Sequence, residues 1–168
     1  ELSGMGCDIV TGGGPGLMRA ANEGARAQSA DERVQSVGIR VDLPFEQEVN
    51  PFVQEAFEHQ TFFTRLHQFV IMSDAYVVVP GGIGTLLEAM LVWQLLQVRH
   101  LHDTPLLFAG EMWADLVAWA QRWMLRPDLE FVNAEDLTIP TCVKSADEAL
   151  TVLHEHHARW RLHQEGRV

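Results

Sequence analysis

Two glycine-rich segments, each set between a short apolar run and a helical stretch, constrain this chain more than any other feature. Gly12-Gly13-Gly14-Pro15-Gly16 follows the run Asp8 to Thr11 and opens a helix near Leu17. Pro80-Gly81-Gly82-Ile83-Gly84-Thr85-Leu86-Leu87-Glu88 follows the run Ala75 to Val79 and opens another. Glycine lets a backbone turn tightly and approach an anion closely, and the first amides of a helix point at whatever lies beyond its N-terminus. A strand-to-helix turn needs glycine for purely geometric reasons too, so one such loop would decide little. Two on one short chain point to a phosphate or nucleotide site held by Gly12, Gly13, Gly14 and Gly16 and by Gly81, Gly82, Gly84 and Thr85. Neither loop has the GxGxxG spacing of a dinucleotide site, and no GxxxxGK[ST] segment occurs, which disfavours NAD binding and ATP hydrolysis.

The remaining pattern alternates strand and helix. Strands are expected at Asp8 to Thr11, Ser36 to Val41, Ala75 to Val79 and Pro105 to Phe108. Helices are expected at Leu17 to Ser29, Thr61 to Ser73, Thr85 to Val98, Trp113 to Leu125 and Ala146 to Arg161, the last with Ser145 and Glu148 as a capping box. Such alternation predicts an α/β fold with a parallel sheet and right-handed crossovers. The proline-containing acidic stretch Asp42 to Glu58 reads as a long functional loop at the carboxyl edge of the sheet, where ligands of such folds sit.

With 168 residues, 47% of them apolar, the chain has material for one sizeable core, and a single domain over 1–168 is expected. A net charge of −11 argues against a nucleic acid partner, which demands clustered Lys and Arg. Cys7 and Cys142 are too few for a disulfide framework, so a reducing cytoplasm is the default location. The apolar runs are strand-sized, well short of the roughly 18 residues of a membrane-spanning helix. His154, His156 and His157 lack metal-site spacing and read as a solvated helix face, so no metal is expected. Trp113, Trp119, Trp123 and Trp160 read as core or interface aromatics rather than base-stacking platforms. Asn22 and Asp74 each admit a structural role or a contact with a ribose. The helices around Phe62 to Val70 and Leu86 to Leu96 carry more apolar residues than one buried face needs, which predicts a homodimer.

The runs TGGGPGLMRAANEGA from Thr11, LPFEQ from Leu43, FFTRLHQF around Arg65 and PGGIGTLLE from Pro80 resemble the LOG family, often labelled "lysine decarboxylase-like". The resemblance implies a Rossmann-like fold with helices on both faces of the sheet, a homodimer, and hydrolysis of nucleoside 5′-monophosphates, such as AMP or cytokinin nucleotides, to free base and ribose 5-phosphate. It implies Arg65 and Glu88 as the catalytic pair, with no metal or organic cofactor. It also places a first strand and another small-residue loop ahead of Glu1, so the chain is expected to begin in a helix, with that strand missing. The family often has a lysine where this chain has Leu66, which bears on substrate preference.

Each catalytic residue has a rival reading. Thr85-Leu86-Leu87-Glu88 fits a capping box, in which the Glu88 carboxylate would serve the helix end. Arg65 flanks the apolar stripe of Phe62, Leu66, Phe69 and Met72 and could lay its stem along the core with its head in water. The decarboxylase label can be tested by composition. Pyridoxal enzymes need a lysine for the Schiff base, and the one lysine of this chain is Lys144, in a C-terminal connection far in sequence from both glycine loops. A rival function is nonhydrolytic binding of a nucleotide or a molybdenum cofactor by a carrier of the same fold.

Overall fold

In the computed structural model the described residues are 1–28, 34–42 and 48–165, and the chain divides into two compact units, Glu1–Ser73 and Asp74–Val168. The first unit opens with a 3-10 turn, Leu2–Met5, closed by Gly6 in the left-handed region at φ 89°. It continues as β1 (Ile9–Thr11), α1 (Leu17–Gln28), β2 (Ser36–Val41), β3 (Glu55–His59) and α2 (Phe62–Met72). Its three strands are parallel in the order β1-β2-β3, with Thr11 beside Gly38 and Val41 beside His59. Parallel neighbours cannot be joined by tight turns, so each return needs a crossover. Ser36 to Ile39 and Val41 are buried on both faces of β2, the mark of a strand covered on either side.

The strand β3 was not expected, because it falls inside the stretch read as a loop. Its charged residues Glu55 and Glu58 are exposed while Phe57 and His59 are half-buried. That is the pattern of an end strand, where charge on the outer side blunts the open edge. The loop proper therefore stops at Gln54, whose N–H donates to the Ser36 carbonyl at 2.7 Å and starts the ladder. Leu43 to Gln47, including the LPFEQ run, lie outside the described residues.

The second unit contains β4 (Tyr76–Val78), α3 (Ile83–Gln97), β5 (Leu106–Ala109) and α4 (Glu111–Met124). A short antiparallel hairpin follows, β6 (Leu125–Arg126) with β7 (Leu129–Glu130), then a 3-10 turn (Ala134–Thr138), β8 (Pro140–Val143) and α5 (Ala146–Glu165). Strands β4, β5 and β8 are parallel in that order. Strand β8 replaces what reads in sequence as a connection; its proline stands at the first position of an end strand, where a missing donor is tolerated.

Leu106 and Phe108 face a core made with Ala89 and Val92 of α3 and Trp113 and Val117 of α4. Leu107 points the other way and is equally buried, on the side where α5 packs against β5 and β8. The sheet is thus covered by helices on both faces, and each fully buried side chain of this kind contributes about 1.5–3 kcal/mol. Phe108 sits 5.0 Å from Trp113 and 5.8 Å, edge-on, from Trp93, centroid to centroid. Both units are α/β with parallel sheets, as the alternation predicts, and are consistent with the Rossmann-like fold that the family resemblance implies.

Ser145 accepts the Glu148 N–H at 3.2 Å, but the Glu148 carboxylate takes the Lys144 N–H at 2.7 Å, one residue further back than a standard capping box. No described helix is long and apolar enough to cross a membrane.

Candidate functional site

In the first unit, the carboxyl end of β1 runs directly into the Gly12–Gly16 loop, and the loop is held by an asparagine network. Thr11 Oγ1 donates to Asn22 Oδ1 at 2.7 Å and accepts the Gly13 N–H at 2.9 Å. Asn22, fully buried in α1, donates to Ser36 Oγ at 2.9 Å. Asn50 then donates from Nδ2 to Asn22 Oδ1 and to the Gly14 carbonyl, both at 3.0 Å, while its own N–H reaches the Gly13 carbonyl at 2.9 Å. Asn22 is therefore a clamp between α1, β1 and β2, not a group presented to a sugar. Buried amides satisfied this fully are costly to disturb, since each orphaned partner would lose about 1–3 kcal/mol.

The glycines of this loop divide into two kinds. Gly13 lies at φ 72°, is buried, and spends its N–H on Thr11; a Cβ there would lie 3.4 Å from the Gly38 backbone. Its task in this geometry is to shape the loop. Gly16, at φ 68°, is exposed and receives the Ala20 N–H at 3.0 Å, which begins α1. Gly12 and Gly14 admit the side chains around them: a Cβ on Gly12 would stand 2.8 Å from both Arg65 Nη2 and Met18 Sδ, and one on Gly14 would stand 2.6 Å from Met18 Cε.

Arg65 is thereby brought to the loop. Thr61 caps α2 by accepting the Thr64 N–H at 3.2 Å, which fixes the first turn from which Arg65 projects. The Arg65 Nε donates to the Ile39 carbonyl of β2 at 2.9 Å, and its guanidinium carbon lies 5.0 Å from the centre of the Phe69 ring. The stem is half-buried, as the rival reading has it, yet the head does not simply run to water: it abuts Gly12 at the end of β1. A fixed cation beside a glycine turn is suited to gripping an anionic oxygen. Leu66, next in sequence, turns inward and is buried.

In the second unit, β4 ends at Val78 and residues 79–84 are exposed. Gly82 is the N-cap of α3 with no side-chain cap bond, and its carbonyl receives the Leu86 N–H at 3.0 Å. The first amides of a 15-residue helix thus stand at an exposed end without a capping side chain, an arrangement that favours an anion. A Cβ on Gly81 would collide with the Thr85 side chain, so glycine there gives the hydroxyl its place. Because α3 starts at Ile83, Thr85 is its third residue and not its cap. The capping-box reading of Thr85 and Glu88 therefore fails. Glu88, half-buried, lies three residues after Thr85, one turn along the same side of the helix.

The same edge of this sheet carries a residue that sequence distance hides. Lys144 follows β8, and β8 is separated from β4 by β5 alone. Gly110, at φ 104°, bridges the interval: its N–H donates to the Val143 carbonyl at 3.0 Å, and a Cβ on it would lie 3.4 Å from Pro80 Cγ. Lys144 is thus nearer the Pro80 loop than its place in the chain suggests. Asp74 is exposed between the end of α2 and the start of β4. Burial pushes the His156 imidazole pKa down, with Arg159 adding to the effect. His157 stacks on Trp160 with ring centres 6.0 Å apart. Among the described residues no group of three or more His, Cys, Asp or Glu side chains is arranged to hold a metal, and Cys142 is an exposed thiol.

Asn50 and the hydroxyl of Thr11 are the site residues that the sequence did not disclose. The signal for the first was the Asn50-Pro51 dipeptide, a turn marker, but nothing local says that its amide reaches across to another loop. Among known families, the model described as "Possible lysine decarboxylase" matches residues 18–153. That span includes Asn22, Asn50, Arg65 and the whole Pro80 to Glu88 loop and begins just after the first glycine turn. A search of curated proteins finds no match.

Proposed function

Since the chain belongs to the possible lysine decarboxylase family, the LOG-like family, we propose that it hydrolyses the N-glycosidic bond of a nucleoside 5′-monophosphate. The substrate is AMP or a cytokinin riboside monophosphate, and the products are the free base and ribose 5-phosphate. The observation that carries this reading is the approach of the Arg65 guanidinium to Gly12 at the end of β1. It is supported by the exposed N-terminus of α3, where Gly82 caps without a side chain and Thr85 offers a hydroxyl. Gly12, Gly14, Gly16, Gly81, Gly82, Gly84 and Thr85 bind the nucleotide, with Gly13 setting the shape of its loop.

Glycosidic cleavage passes through a transition state with positive charge on the sugar. The Glu88 carboxylate stabilises that charge and orients the attacking water, a form of electrostatic help whose loss typically costs about a hundredfold to a thousandfold in rate. Arg65 holds the phosphate or another ligand oxygen. Binding energy from the phosphate then favours nucleotides over nucleosides. The reaction calls on no metal or organic cofactor. With a net charge of −11 the partner is a small nucleotide rather than a nucleic acid; no membrane partner is invoked, and the two cysteines suit a cytoplasmic setting. The protein acts as a homodimer built through the apolar residues that α2 and α3 leave exposed, Phe63 and Ile71 on the one and Ile83 and Leu87 on the other. Light scattering that gave a monomer would overturn that assembly.

The test of the activity is incubation with a panel of nucleoside monophosphates followed by chromatography for free base. Release of base by the native protein and its loss in Glu88→Gln, with folding and phosphate binding retained, is the expected result. A nucleotide recovered intact but still bound would instead establish a carrier.

A further inference from the structure

The first glycine loop is held by its carbonyls, and one buried residue gathers two of them in succession. Asn50, 6% exposed, donates its own N–H to the Gly13 oxygen at 2.9 Å and its Nδ2 to the Gly14 oxygen at 3.0 Å. It is fixed in turn by the segment that it begins. Pro51 follows at a position where proline suits a tight turn, Asn50 Oδ1 accepts the Phe52 N–H at 3.1 Å, and the Asn50 carbonyl accepts the Val53 N–H at 3.2 Å. Arg19 of α1 lies over the Phe52 ring, its guanidinium carbon 5.4 Å from the centre. Val53 sits against the bare backbone of Gly38, where a Cβ would stand 3.1 Å from Val53 Cγ1 and 3.2 Å from Gly13 Cα. Strand β2 therefore lets the turn and the glycine loop close over one spot.

Peptide planarity converts this hold into a direction. In a trans peptide the carbonyl of one residue and the N–H of the next point opposite ways, and the Gly13–Gly14 bond is trans. Because the Gly13 carbonyl faces the Asn50 N–H, the Gly14 N–H faces away from it. The neighbouring positions cannot stand in for that donor: the Gly13 N–H is committed to Thr11 Oγ1 at 2.9 Å, and Pro15 has no N–H.

We propose that Asn50 is a positioning residue for phosphate binding, which acts through the Gly13–Gly14 peptide to aim the Gly14 N–H at a phosphate oxygen of the ligand. The inference rests on the nucleotide reading of this loop and adds to it which amide holds the anion and what orients that amide. A donor set in advance binds more tightly than one that must be ordered by the ligand. Without the Asn50 side chain the loop keeps its glycines, whose backbones have wide freedom, and the Gly14 amide loses its fixed direction.

Ribose 5-phosphate is the probe, since it carries the phosphate and has no base to lose. It is titrated into isotope-labelled native protein while the Gly13 and Gly14 amide resonances are followed by NMR. Its Kd is then measured by calorimetry for the native chain, Asn50→Ala and Asn50→Asp, with circular dichroism confirming that each is folded. The Gly14 amide proton should move downfield on binding by more than that of Gly13, and both variants should bind about tenfold to a hundredfold more weakly, the range for a hydrogen bond to a charged group. Asn50→Asp keeps the acceptor that closes the turn on Phe52 and loses the donor to Gly14. A purely structural Asn50 would lower the melting temperature and leave Kd unchanged, and native affinity in either variant would overturn the inference. So would a Gly14 amide that does not move while ribose 5-phosphate binds, a result that the native protein gives even if neither variant folds. A native chain that binds no ribose 5-phosphate would end both the nucleotide reading and this inference. Binding with the Gly14 shift, but without hydrolysis of AMP, would support the inference while refuting the enzyme.

Discussion

At the scale of single residues, the glycines of the first loop work by what they leave out. Gly12 is the case with the sharpest consequence, since a methyl group there meets the tip of Arg65 and the sulfur of Met18, both 2.8 Å away. Both neighbours are the ends of flexible side chains, so Gly12→Ala should fold with a melting temperature near that of the native protein. The guanidinium, however, has to move. Misplacing a positioning group by about 1 Å can cost on the order of a hundredfold in rate, and that is the expected fall in kcat/KM for nucleoside monophosphate hydrolysis. Steady-state kinetics beside a thermal melt will tell: native kinetics in Gly12→Ala would mean that the approach of Arg65 to the loop has no part in the reaction.

Among the elements, the 3-10 turn before β8 shows how a carboxylate can hold a segment without an ion pair. Asp136 Oδ2 accepts the Asn133 N–H at 2.9 Å and the Gln97 side-chain amide at 3.0 Å, and its carbonyl receives the Trp93 indole N–H at 2.8 Å. The Asn133 backbone bond, followed by the Gln97 bond, holds its pKa below the ordinary aspartate value. A carboxylate whose pKa is depressed on folding stabilises the native state at all pH values above the unfolded pKa, and the contribution drains away as pH falls through the folded one. Urea titrations of the native protein and Asp136→Asn should therefore differ at neutral pH, with the gap beginning to close at about pH 4, near the unfolded aspartate value, and vanishing only below the folded pKa. An unchanged gap between them at acid pH would show that the charge on Asp136 contributes nothing.

For the molecule as a whole, the issue is which chemistry the family name describes. A pyridoxal-dependent decarboxylase would need Lys144, the single lysine in the chain. The fold places it nearer the second glycine loop than the sequence does, so distance alone does not dispose of it; the exposed loops and the Arg65 approach favour an anionic sugar phosphate instead. Lys144→Arg should accordingly leave nucleotide hydrolysis unchanged, measured as free base released from AMP. Loss of turnover in that variant would give Lys144 a role in the reaction.

The alternation of apolar β-branched runs with helical stretches fixed the class of fold, and the two glycine segments fixed where its loops open, because both depend on periodicity and on backbone freedom within a few neighbouring residues. The ends of α2, α3 and α5 lay within a few residues of where their caps and apolar stripes put them. Other features stayed hidden for equally physical reasons. Strand β3 carries the charges of an end strand and β8 begins with proline, so neither looks like a strand until a neighbour's carbonyls and amides align it. Glu88 could be read as a capping residue until the helix was seen to start at Ile83. Asn50 holds the first loop, and Arg65 reaches it, across separations that no local pattern encodes. Short-range propensity is written residue by residue, whereas hydrogen bonds and close approaches between distant segments exist only once the strands have been placed side by side.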